Sequence, residues 1–198
     1  EAPGDIEEVR KRLDLPQRFL LAVGHLETRK NYARLIEAFA LLAERYGELG
    51  LVIVGNESGE GKGIAARIRC LGLEGRVCLL HDVNDEELAA IYALSCMVVF
   101  PSTYEGFGIP VIEAMAASRP LACSDIAVFR ELTEGQAAYF DPLDSAAMAS
   151  AIGALLTDKQ RQKTFTDYGV KRLASFSFPN LARQIEAIDR SLARKAAA

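Results

Sequence analysis

Two glutamates bracket a run whose residue types suit an anion and a sugar. Glu105 is followed by Gly106, Phe107, Gly108, Ile109 and Pro110, and Glu113 stands eight positions after Glu105. Gly106 and Gly108 let backbone come close to a bound group. Pro110 suits the first turn of a helix, where its missing N–H costs nothing, so a helix is predicted to start there. The amides of Phe107, Gly108 and Ile109 would then present free N–H groups to an anion. Glu113, expected in the first turn of that helix, can accept two hydrogen bonds from a vicinal diol such as a ribose. The plainer alternative is a helix-capping loop with two exposed glutamates.

A second feature is the pair Arg29 and Lys30, just before a helix predicted from Tyr32. Two cations beside helix N-terminal amides suit a phosphate or diphosphate. Taken alone, the pair also reads as an exposed basic patch. Little else in the chain could do chemistry. Cys70, Cys78, Cys96 and Cys123 form no C-x-x-C pair. They read as reduced core thiols, which points to the cytoplasm. His25 and His81 lack zinc-ligand spacing, so no metal and no cofactor is expected.

Composition narrows the class. The chain has 198 residues, 50% hydrophobic and 25% charged, which is ordinary globular composition and enough for about one domain. A net charge of -4 argues against bulk nucleic-acid binding. No apolar run approaches the ~20 residues of a membrane span. From Arg161 onward eight basic residues face three acidic ones. Such a tail could meet an acidic surface, such as the inner membrane face; a solvated helix face is the plainer reading. The first residue is Glu and no signal-peptide pattern follows, so the chain is expected to be a piece of a longer protein.

The elements that must position these residues follow from periodicity. FLLAVG, LVIVG, RVCLL and CMVVF are short apolar runs with the signature of strands buried on both faces. Shorter strands are predicted at 120–123 and 137–140. Between them Leu35, Ile36, Phe39, Leu42 and Tyr46 repeat at helical spacing, and Asn84 with Glu87 resembles a capping box. Asp144 is read as a further helix cap. Strand and helix therefore alternate, which implies an α/β fold: a Rossmann-like parallel sheet with helices on both faces. Residues 1–18 read as a lead-in segment and 19–178 as the main domain. The stretch 179–198 reads as a C-terminal helix with an apolar face of Leu181, Ile185, Ile188 and Leu192.

YEGFGIPVIEAMA and AVGHLETRKNYARLIEAFALL, with LVIVG and HDVNDEELAAIYALSCMVVFPS between them, resemble family 4 glycosyltransferases, which are retaining enzymes of the GT-B fold. The likeness runs from about Phe19 to about Leu156. It implies one half of a GT-B fold, the C-terminal donor domain, with the acceptor domain elsewhere. By that resemblance Lys30 and Arg29 hold the diphosphate of a nucleotide sugar. Gly106, Phe107, Gly108 and Ile109 offer backbone to the sugar or phosphates, Glu105 touches the transferred sugar, and Glu113 takes the ribose. Gly24 and His25 lie near the phosphates, and the base sits near Asp82, Val83 and Asn84. Many members carry Arg where this chain has His25, so the Arg role is not transferred to it. The subset with an Arg-Lys-Asn run includes many mannosyltransferases, which favours a GDP-mannose-like donor and a place in polysaccharide or glycoconjugate synthesis. The alternatives are an epimerase, hydrolase or phosphorylase of the same fold, or a non-catalytic nucleotide-sugar-binding domain.

Overall fold

The computed structural model describes residues 6–176. The expected helix over 179–198 lies outside the described residues. A short helix α1 (Ile6–Arg12) leads into six strands: β1 (Arg18–Val23), β2 (Leu49–Val54), β3 (Val77–Leu80), β4 (Met97–Phe100), β5 (Leu121–Ser124) and β6 (Ala138–Phe140). They form one sheet in the order β3-β2-β1-β4-β5-β6. Every pairing is parallel.

Seven further helices complete the described chain: α2 (Tyr32–Arg45), α3 (Gly61–Cys70), α4 (Asp85–Leu94), α5 (Ile109–Ala116), α6 (Ala127–Thr133), α7 (Ser145–Thr157) and α8 (Lys159–Leu173). Strand side chains alternate between two cores. Leu20 and Ala22 face one core with Ile36 and Phe39 of α2, Ile64 of α3 and Ile152 of α7. Phe19 and Leu21 face the other with Ile91 of α4, Met115 of α5, Phe129 of α6 and Phe165 of α8. Burial on both faces explains why the strands read as unbroken apolar runs rather than alternating ones.

The capping box at α4 forms as expected: Asn84 accepts from the Glu87 amide, and Glu87 accepts from the Asn84 amide. Asp144 caps α7 by accepting from the amides of Ala146 and Ala147. The periodicity gave no helix between β5 and β6, yet α6 is there. It is seven residues long, and Ile126 at its N-cap makes no side-chain capping bond, so neither length nor cap announces it. The cysteines also differ from expectation. Cys123 is buried and Cys78 and Cys96 partly so, but Cys70 is exposed. It is the last residue of α3, whose buried positions are Gly61, Ile64 and Ile68.

Strand order reverses between β1 and β4. Loops leaving those two strands must diverge there and open a crevice at the carboxyl edge of the sheet. That crevice receives the loops carrying Arg29, Lys30 and Glu105.

Candidate functional site

Loop geometry after β1 is set by two glycines. Gly24 has φ +142°, and a Cβ on it would lie 2.7 Å from Cε of Lys30. A Cβ on Gly55 would lie 2.0 Å from the Gly24 carbonyl oxygen. The ends of β1 and β2 therefore approach too closely for any side chain, and Lys30 lies across the space this leaves. Lys30 closes a single 3-10 turn, Thr28–Lys30, and Asn31 follows in the left-handed conformation. The Asn31 side-chain amide donates to the carbonyls of Pro101 (3.0 Å) and Pro142 (2.7 Å), tying three loops of the carboxyl edge together. The Tyr32 hydroxyl donates to the Gly24 carbonyl at 2.9 Å.

These ties bring together residues 75 positions apart in the chain. Lys30 Nζ meets Glu105 Oε1 at 2.6 Å, and Arg29 Nη1 meets Glu105 Oε2 at 2.7 Å. Ser102 donates its hydroxyl to the same Oε1 at 2.8 Å. The Lys30 and Glu105 side chains are 8% and 10% exposed, so this pair is nearly dry. Burial opposes ionisation of Glu105. Hydrogen bonds from Lys30 and Ser102 and the charges of Lys30 and Arg29 outweigh it, and the carboxyl is held below its ordinary range. Arg29 is more open and is also paired with Glu27, Nε to Oε2 at 2.7 Å. Its desolvation is exceeded by the two carboxylates, which raise its already high pKa. Both cations, expected to hold a diphosphate, are seated on Glu105 in this structure.

Beyond Glu105 the chain enters α5 at Ile109, one residue before the predicted start, with Gly108 as N-cap at φ +85°. A Cβ on Gly108 would lie 2.8 Å from Leu132 Cδ1, so the entry needs glycine for space as well as for φ. Among the described residues the amides of Gly106, Phe107, Gly108 and Ile109 have no hydrogen-bond partner. They are available to an anion, as the Gly-x-Gly-x-Pro spacing implies. Tyr104, Phe107 and Ile109 form an exposed apolar rim.

Glu113 falls in the second turn of α5, not the first. Its Oε2 accepts from the hydroxyl of Tyr92 on α4 at 2.8 Å. Both residues line a groove of about 590 Å³ between α4 and α5, with Asp85, Leu88 and Ala117 on its walls. A smaller cleft of about 250 Å³ lies at the ends of β1 to β3, lined by Gly24, His25, Gly55, Asn56, Asp82 and Val83. Asp82 has φ +52°, and its amide donates to the Asn56 side chain at 2.9 Å. Residues 82–85 thus divide the two hollows. Asn84 belongs to neither, because its side-chain oxygen is committed to the α4 cap.

Four contributors escaped the sequence reading: Glu27, Tyr32, Tyr92 and Ser102. Only Ser102 left a local signal, standing three residues before Glu105. Glu27 stands two residues before Arg29, a spacing that does not by itself announce an ion pair. Tyr32 and Tyr92 act on a neighbouring loop and a neighbouring helix, where spacing carries no information. Among the described residues no group of three or more His, Cys, Asp or Glu could hold a metal ion. No described helix is long and apolar enough to cross a membrane.

The fold and site define a class: a doubly covered parallel sheet with unpartnered amides and a cationic pair at its switch point. Comparison with known proteins makes this specific. The model of the glycosyl transferases group 1 family matches residues 5–172, and the chain belongs to that family. The O-antigen chain mannosyltransferase B of Escherichia coli is 31% identical over 169 residues, covering 85% of this chain and 44% of that protein. Sucrose-phosphate synthase from Thermosynechococcus elongatus superposes with TM-score 0.79 at 28% identity, over 97% of this chain and 49% of that one. The C-terminal domain of a group 1 glycosyl transferase, LpcC from Francisella tularensis, gives TM-score 0.74 at 18% identity, covering 87% of this chain and 93% of the domain. The fold is the C-terminal half of GT-B, and the chain spans less than half the length of the O-antigen chain mannosyltransferase B.

Proposed function

We propose that the chain is the donor-binding half of a retaining glycosyltransferase, taking a nucleoside-diphosphate sugar and passing its glycosyl group to an acceptor hydroxyl. The observation that carries this is the convergence of Lys30, Arg29 and Glu105 beside the unpartnered amides 106–109 at the N-terminus of α5. As the glycosidic bond breaks, negative charge develops on the leaving diphosphate. Lys30 and the amides, held in place beforehand, stabilise that charge without having to reorganise. Lys30 and Arg29 are assigned to the diphosphate and the amides of 106–109 to phosphate or sugar. Glu105 is assigned to hydroxyls of the transferred sugar.

Glu113 faces a groove wide enough for a nucleoside and has one carboxylate oxygen besides the one bound to Tyr92, which suits a ribose diol. Gly24, His25 and Val83 line the neighbouring cleft, where the backbone of 82 and 83 reads the base. The mannosyltransferase relative favours a GDP-mannose-like donor and a role in polysaccharide or glycoconjugate synthesis. No metal enters this scheme, since protein cations meet the diphosphate. The acceptor hydroxyl is held by residues outside this chain, in an N-terminal domain across the cleft. A cytoplasmic location, with contact at the inner membrane face, remains part of the proposal.

Calorimetry with GDP, UDP and ADP tests the reading. GDP is expected to bind most tightly, and weakly in absolute terms, because the other half would normally close over it. Lys30→Ala should weaken GDP more than guanosine. Absence of heat with all three nucleotides at millimolar concentration would sink the assignment. A labelled-donor assay should detect sugar transfer by a longer protein that adds the acceptor half, and none by the 198-residue chain.

A further inference from the structure

Charges facing the proposed diphosphate position cancel. Arg29 and Lys30 bring two positive charges, and Glu27 and Glu105 bring two negative ones. The two cations are not equivalent. Lys30, Glu105 and Ser102 form a buried unit, with Oε1 of Glu105 bonded by both partners and the lysine stem lying across Gly24. Arg29 is 40% exposed and bridges two carboxylates, Glu105 on one side and Glu27 on the other. An incoming anion can therefore draw away Arg29 far more readily than Lys30.

Glu27 is held for this contact by its backbone. Its amide donates to the His25 carbonyl at 2.8 Å, and its carbonyl accepts from the Lys30 amide at 2.9 Å. It occupies the N-cap position of the 3-10 turn, yet its side chain makes no capping hydrogen bond. The turn does not need this carboxylate. Its contact is with the guanidinium.

We propose that Glu27 is a positioning residue for Arg29. It parks the guanidinium when no donor is bound and so lowers the affinity of the site for a nucleoside diphosphate. The inference rests on the reading of Arg29 and Lys30 as the diphosphate's cations. Its consequence is kinetic. A site in which Glu105 alone opposed the two cations would carry a net positive charge and hold the diphosphate left after transfer longer, and product release commonly limits turnover. Competition from Glu27 keeps departure fast, while Lys30 and the α5 amides remain fixed.

The test is titration of the 198-residue chain with GDP and with UDP, using guanosine as the phosphate-free control. Glu27→Gln should tighten the nucleotide that binds best by about threefold, the scale of a partly exposed ion pair. It should leave guanosine unchanged and steepen the salt dependence of nucleotide binding. Glu27→Ala should behave alike, and both variants should melt within a few degrees of the parent. In an Arg29→Gln background the Glu27→Gln gain should vanish, because there is no guanidinium left to release. If Glu27→Gln leaves nucleotide binding unchanged or weaker while Lys30→Ala still weakens it selectively, the parking role is overturned and the diphosphate reading stands. If neither nucleotide binds the parent, or Lys30→Ala weakens GDP and guanosine alike, the diphosphate reading fails and this inference fails with it.

Discussion

Glu105 and Glu113 are the same residue type, eight positions apart, yet the fold gives them opposite settings. Glu105 sits where loops from β1 and β4 meet. Two cations and a hydroxyl hold both of its oxygens, in a spot nearly closed to water. Glu113 projects from a helix into an open groove and meets one neutral hydroxyl, that of Tyr92. That hydroxyl is buried, and burial followed by the Glu113 charge pushes its own pKa upward, so it stays a donor. The first carboxylate is fixed by charge and the second by a single dipole. Removing a partner should therefore cost stability at the first and mainly alter recognition at the second.

The largest effect is expected for Lys30→Ala. It leaves Glu105 buried beside Ser102 with only the more exposed Arg29 to balance it. Breaking a buried ion pair costs about 3 kcal/mol, which is ~6–12 °C in melting temperature for a chain of this size. A loss below ~1 °C in calorimetric melting would show that the pair is better hydrated than its exposure implies.

Gly24→Ala should follow at about 2 kcal/mol, because a methyl there strains the backbone and collides with the lysine stem. It should weaken GDP as well, by displacing the ammonium. If binding were unaffected, Lys30 would be free to find another route to the diphosphate.

Tyr92→Phe should cost about 1 kcal/mol of stability, the net worth of one hydrogen bond. At this site the informative measurement is selectivity. The variant should change the ratio of GDP to 2′-deoxy-GDP affinity and leave the salt dependence of binding alone. Equal changes for both nucleotides would remove Glu113 from the ribose.

The smallest effect concerns pH. Glu105 has a folded pKa below its ordinary value of 4.5, so the stability it contributes is complete above that pH. It is lost as pH falls through the lower, folded value. The melting-temperature gap between the parent and Glu105→Gln should be flat above about pH 5 and close on acidification. A gap independent of pH down to 3 would mean that the carboxylate's charge is not what stabilises the cluster.

Much of this was legible in the residues themselves. Continuous apolar strands alternating with amphipathic helices dictate a doubly covered parallel sheet, since only burial on both faces tolerates FLLAVG or LVIVG. Asn84 with Glu87, and Gly108 with Pro110, announce their helix starts because a cap is a local event of a few residues. The same locality explains the misses. α6 lacks a side-chain cap, and Cys70, read as a core thiol with the other three, is exposed on α3 beside Arg67 and Arg69.

By itself the sequence determined which residues could bind an anion or a diol, and at which edge of a parallel sheet they must appear. Only the tertiary structure decided their pairing. Placing Lys30 on Glu105 requires β1 and β4 to be neighbours across a crossover of more than 70 residues. It also requires Gly24 and Gly55 to let two strand ends touch, and Asn31 to hold three loops at once. Local spacing encodes turns and caps. Coulomb interactions and close packing act through space, so charge balance at the site, with Glu105 opposing Lys30 and Arg29 across 75 positions of chain, exists only once the chain is folded.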